Sequence, residues 1–174
     1  ACYERAAADT PGPLDAGLAW RWGLIHHLRG DLDTALAVYG RGALDDADDS
    51  TADTLTDQAL LACWTATANW LRGDADRCRD LAADAMARAR RSGDDRALAA
   101  AHTVLALVAA HDGDRLANDT HYLRALDHAE RAGDVLQIIR IRLNRGSRLN
   151  EEGFHDEAIA ELDLAIGLAD LGGY

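Results

Sequence analysis

Seven histidines, thirty carboxylates and three cysteines are the side chains of this 174-residue chain that could carry chemistry. Their spacing decides how much is open to them. His26 and His27 are adjacent, so on a helix they point about 100° apart and are poorly placed to hold one ion. His121 and His128 are two turns apart on one face, about 10 Å along a helix, too far for one ion without rearrangement. His111-Asp112-Gly113-Asp114 is a donor cluster at a turn, where capping is the ordinary use of such residues. His102 lies inside an apolar stretch and reads as a core histidine. The acidic stretch Leu44 to Ser50 lacks the phased ligands, glycine and closing glutamate of a calcium-binding loop.

Covalent chemistry is no better served. Cys2, Cys63 and Cys78 are odd in number and contain no Cys-x-x-Cys pair, so Cys63 and Cys78 read as small packing residues of a protein in a reducing cytoplasm. No serine, cysteine or threonine nucleophile sits on a glycine elbow. The paired carboxylates Glu151-Glu152 and Asp45-Asp46 are sequence neighbours and read as solvent-facing. All 18 basic residues are arginine. With no lysine, Schiff-base chemistry is excluded. The expectation is binding without chemistry: no catalytic residue, no metal and no cofactor. A metal-dependent hydrolase is the weakly held exception, for which stoichiometric zinc would be the sign.

The elements that must position these residues are set by a ruler of glycines. Gly73-Asp74, Gly113-Asp114 and Gly153 are spaced by 40 residues, and Gly93-Asp94, Gly133-Asp134 and Gly173 form a second series of the same period. Two interleaved series mean one supersecondary unit, with two turns, copied several times. Glycine stops a helix in a left-handed conformation that penalises a Cβ, and an aspartate after it caps the next helix. Arg29, Arg72, Arg90, Arg91 and Arg131 suit the negative ends of the helices they close. The Arg-Gly-Asp triplets at Arg29 and Arg72 are therefore helix boundaries rather than adhesion signals.

The glycines predict helix pairs at about 14–44, 55–91, 95–131 and 135–170, eight helices in all. Residues 1–12 read as the tail of a preceding helix and a proline-containing linker, and 13–174 as one repeat domain. Both prolines, Pro11 and Pro13, precede the first strong helical pattern, and there is no convincing alternating run of β-branched residues, so the chain reads as all-α. The repeat register is cut at both ends, which suggests a piece of a longer protein. Such ends also allow a homodimer through stacked repeats. A net charge of −12 disfavours direct nucleic-acid binding and anionic membrane surfaces. The longest apolar run, Ala97 to Ala110, is too short to span a bilayer.

Small residues recur in phase: Gly23, Ala66, Ala106 and Gly146, then Ala35, Cys78, Asn118 and Ala158, then Gly42, Ala85, Ala125 and Ala165. Small side chains at matched heights let antiparallel helices approach closely. In this pattern the chain resembles the tetratricopeptide-repeat family over nearly its whole length. The last unit carries Leu143, Gly146, Gly153, Asp156-Glu157-Ala158, Leu162 and Ala165; the first carries Trp20 or Trp22, Gly23, Gly30, Ala35 and Tyr39. The family period is about 34 rather than 40, and its proline after the second helix is missing here. Units of this length resemble the helical sensor arms of LuxR-type, maltotriose-activator-like bacterial transcription regulators.

The resemblance implies a right-handed superhelix whose first helices line a concave groove for a protein, a peptide or a small effector molecule. The inward positions it implies are Trp20, Leu24, His27, Cys63, Thr67, Trp70, Thr103, Leu107, His111, Arg140, Ser147 and Asn150. All four tryptophans (Trp20, Trp22, Trp64, Trp70) lie on the first helices of the first two pairs, where they fill either groove or core. Arg140, Arg142, Arg145 and Arg148 either hold an acidic partner or balance nearby Glu151, Glu152 and Asp156, the second being favoured. The lysine-dependent clamp of chaperone-binding relatives has no counterpart. The function implied is effector sensing or protein docking within a larger cytoplasmic transcription regulator; the alternative is a stand-alone scaffold that assembles protein complexes.

Overall fold

The structure, a computed structural model, describes residues 12–44 and 51–173. The expected tail at the N-terminus and the acidic loop lie almost wholly outside the described residues. Among the described residues there are eight α-helices: α1 Ala16–Leu28, α2 Leu32–Tyr39, α3 Ala52–Leu71, α4 Ala75–Ser92, α5 Asp95–His111, α6 Arg115–Ala132, α7 Val135–Glu151 and α8 His155–Gly172. Among the described residues the one β-type pairing is an isolated bridge between Leu14 and Gly42. No described helix is long and apolar enough to cross a membrane.

The turns explain the boundaries. α4 and α6 end on Gly93 and Gly133, whose φ values of 66° and 64° place them in the left-handed region that a side chain would strain. The following aspartates start the next helices. Asp114 accepts from the Ala117 N–H at 2.9 Å, Asp134 from the Gln137 N–H at 3.0 Å, and Asp94 from the N–H groups of Arg96 and Ala97. Phe154 holds the corresponding place before α8 and offers no side-chain cap.

Packing follows a simple rule. Each first helix (α1, α3, α5, α7) touches its own second helix and the next first helix, while the second helices do not touch one another. The first helices therefore form the inner row and the second helices a splayed outer row. Close approach within a pair depends on the phased small residues. A Cβ on Gly23 would lie 2.2 Å from the Tyr39 ring, and one on Gly146 would lie 2.9 Å from Leu162. Ala35, Cys78, Asn118 and Ala158 are all buried at the equivalent height on the second helices. Asn118 breaks the apolar pattern at no cost in unmade hydrogen bonds, because its Nδ2 donates to the Ala106 carbonyl at 2.7 Å. One core cluster runs from Leu14 through Tyr39, Leu61 and Trp64 to Val104, and a second surrounds Tyr122, Leu126, Ile138 and Ile141.

Candidate functional site

The inner row lines a partly open cavity of about 240 Å³ to which all four first helices contribute. Trp20, Leu24 and Leu28 enter from the middle and C-terminal part of α1, and Leu60 and Trp64 from the middle of α3. Arg96 and Ala100 come from the first turns of α5, and Asp134, Leu136, Gln137 and Arg140 from the start of α7. The lining thus climbs obliquely across the row, since packed helices cross at an angle and do not keep equivalent residues level.

Arg140 is held by a short relay. Its Nη1 donates to Gln137 Oε1 at 2.8 Å, Gln137 Nε2 donates to Thr103 Oγ1 at 3.1 Å, and Thr103 Oγ1 donates to the Ala99 carbonyl at 2.9 Å. That chain fixes which end of the Gln137 amide faces the arginine. The guanidinium lies 4.0 Å from the centre of the Trp64 ring, a cation–π contact that joins α7 to α3 across α5. Trp20 is pinned in its turn, its Nε1 donating to Asp57 at 2.8 Å and the Arg21 guanidinium lying over its ring.

Burial shapes the electrostatics around Arg140. Its guanidinium is brought down to about 10 by desolvation, and no carboxylate among the described residues forms an ion pair with it. His27 is lowered to about 4, first by burial and then by the Arg140 charge. The His27 ring meets Trp64 edge-on at 5.1 Å, and its Nδ1 and the Tyr39 hydroxyl are buried without a hydrogen-bond partner.

The expected inward residues are distributed unevenly. Trp20, Leu24 and Arg140 line the cavity, and Cys63, Thr67 and Thr103 pack with Gln137 and Arg140 directly beside it. Burial raises the Cys63 thiol far above its ordinary range, so it is protonated packing. His27 and Leu107 are buried, and Trp70 meets the exposed His111 edge-on at 6.1 Å near the helix ends. Ser147 and Asn150 are exposed in the last turns of α7, away from the cavity, with Asn150 Oδ1 against His155. Trp64, Leu60 and Gln137 were not singled out by the glycine register. The available signal was local: Gln137 precedes Arg140 by one turn, and Leu60 and Trp64 share a face.

Two clusters complete the picture. His102 is a buried, hydrogen-bonded histidine, as expected, and two further histidines lie against it. Its Nδ1 lies 3.0 Å from His121 Nδ1 and its ring stacks on His128 at 5.6 Å. His102 is lowered to about 4, first by burial and then by its two histidine neighbours and Arg124. His128 is tied to Asp95 at 2.7 Å. Among the described residues no three such side chains converge as a metal site. Three arginines of the α7 run are matched by acids, Arg140 excepted: Arg142 and Arg145 both pair with Glu161, and Arg148 pairs with the expected Glu152.

No family model matches the chain, and no curated protein matches it.

Proposed function

We propose that the chain is the effector-sensing or partner-docking arm of a larger bacterial transcription regulator, built as a tetratricopeptide-like right-handed superhelix. The observation that carries the reading is the cavity shared by α1, α3, α5 and α7. A ligand held there contacts all four repeats at once, so its binding energy depends on how they are packed. That dependence is what a sensor needs, because a ligand shifts a conformational equilibrium only by its differential affinity for the two states. The bias would pass along the stack through the contacts between successive first helices. Binding rather than turnover fits a lining of tryptophans, leucines and one relay-held arginine.

The test is to read the open reading frame that surrounds this sequence. A phosphate-binding loop upstream and a helix-turn-helix downstream support the sensor arm. A frame holding only further repeats, or one that ends near Tyr174, sinks it. The alternative, a scaffold for protein complexes, is favoured by a different surface: Ile159, Ile166 and Leu171 on α8 are exposed. It predicts capture of proteins without any thermal response to metabolites.

A further inference from the structure

Arginines on the first helices are matched by acids among the described residues: Arg21 by Asp57, Arg96 by Asp94, Arg142 and Arg145 by Glu161, and Arg148 by Glu152. Arg140 is the exception within the inner row. Desolvation lowers its guanidinium, yet its contacts are an amide oxygen and an indole face. A guanidinium carries five N–H donors in a fixed fork, and one of them is used by Gln137. Removing such a charge from water without an anion is costly, and a bidentate carboxylate is the partner that best matches the fork.

The rest of the lining specifies what must be attached to that anion. Leu24, Leu28, Leu60, Leu136 and the two indoles surround the space with apolar surface. Arg96 is engaged by Asp94, and Asp134, whose charge is felt at Arg140, caps α7 through the Gln137 N–H and makes no ion pair with Arg140. Of the two guanidiniums that line the cavity, Arg96 is met by Asp94, so Arg140 is the one without an ion pair among the described residues. One guanidinium fork suits a single negative charge. A phosphate dianion would bring a second charge against leucine and tryptophan, and a sugar would leave its hydroxyls unbonded there.

We propose that the cavity binds a small monocarboxylate with an apolar body, its carboxylate on the Arg140 fork and its hydrocarbon against Trp64, Leu60 and Leu24. This inference rests on the reading of the inner-row cavity as the effector site and names the chemistry of the effector. The Gln137–Thr103 relay holds the fork in place before the ligand arrives, which lowers the cost of binding.

Calorimetric titration of the 174-residue chain with 3-phenylpropionate and octanoate, and with the neutral 3-phenylpropanamide, tests it. Both acids should bind, and the amide should bind at least about tenfold more weakly than its acid, the size of a lost charged hydrogen-bond pair. Arg140→Gln should lower the acid's affinity by a similar factor and bring acid and amide level, while Arg140→Lys keeps part of the preference. Ala100→Phe leaves the Arg140 side chain in place, fills the cavity beside it and should abolish both kinds of binding. Its fold and that of the Arg140 variants are checked by circular dichroism. If acid and amide bind the wild type equally and Ala100→Phe abolishes both, the carboxylate is wrong and the cavity reading survives. Absence of binding by every probe at millimolar concentration overturns both, as does binding untouched by Ala100→Phe. Acid binding unchanged in a folded Arg140→Gln protein overturns the inference alone.

Discussion

In the first two helix pairs the space between helices is filled by large side chains. Tyr39 closes over Gly23, Leu61 and Trp64 are almost fully buried, and one continuous core joins α1 to α5. In the last pair, α8 buries only Ala158 and Ala165. Beyond these and the half-buried Leu162 and Leu168, it is held by ion pairs, with Arg142 and Arg145 gripping Glu161. The two regions share one spacing of turns and differ in what occupies the gap. The repeat sets the distance between helices, while the side chains at the gap decide how firmly each pair is locked and where a cavity can remain. The cavity lies where aromatic packing is densest and ends at the first turns of α7, before the ionic region begins.

Acid should separate the two regions most strongly. His27 and His102 each fall from an ordinary value near 6.5 to about 4 in the folded state, and both lie outside α7 and α8. A histidine with a lowered folded pKa gives stability that is complete above pH 6.5 and is lost as pH falls towards 4. Each should cost about 2 kcal/mol by pH 5 and about 3 kcal/mol below pH 4. At neutral pH, α8 should show the lowest hydrogen-exchange protection. On acidification the protection of α1 and α5 should fall towards it. A gap that stays constant between pH 7 and pH 5 would break the comparison.

The glycines offer a sharper contrast. Gly23→Ala drives a Cβ into the buried Tyr39 ring and should cost about 2 kcal/mol in urea unfolding. Gly146→Ala meets the half-buried, flexible Leu162, and the helix propensity gained by alanine offsets the contact, so the expected change is under about 0.5 kcal/mol. Equal costs would mean that the two gaps are not filled differently after all. Glu161→Gln leaves Arg142 and Arg145 without their shared partner and should cost about 1 to 2 kcal/mol, read as earlier exchange of α8 with α1–α4 unaffected. Smaller than the Gly23 effect is the cap: Asp114→Ala should lower stability by about 1 kcal/mol, measured by thermal unfolding. An unchanged melting temperature would show that the Gly-Asp turn owes its recurrence to glycine alone.

The fold was legible because its signals are local. A glycine that must be left-handed and an aspartate that must cap are read within two residues, and the expected helix pair at 55–91 is observed as Ala52–Leu71 and Ala75–Ser92. The site was legible in part. Trp20, Leu24 and Arg140 follow from placing equivalent residues level on successive first helices. Trp64, Leu60 and Gln137 do not, because the cavity crosses the row obliquely and samples a different height on each helix. The pairing of His102 with His121 and His128 was hidden for a related reason. Residues on α5 and α6 meet through the angle at which the helices pack, and the 40-residue period contains no information about that angle.

The most direct measurement is the melting temperature of the wild type and Ala100→Phe, side by side, against a collection of small metabolites. If the inner-row cavity is where an effector binds, at least one compound should raise the melting temperature of the wild type and leave that of Ala100→Phe unmoved. Compounds that shift both proteins equally would place binding elsewhere, and a wild type that responds to none would contradict the sensor reading.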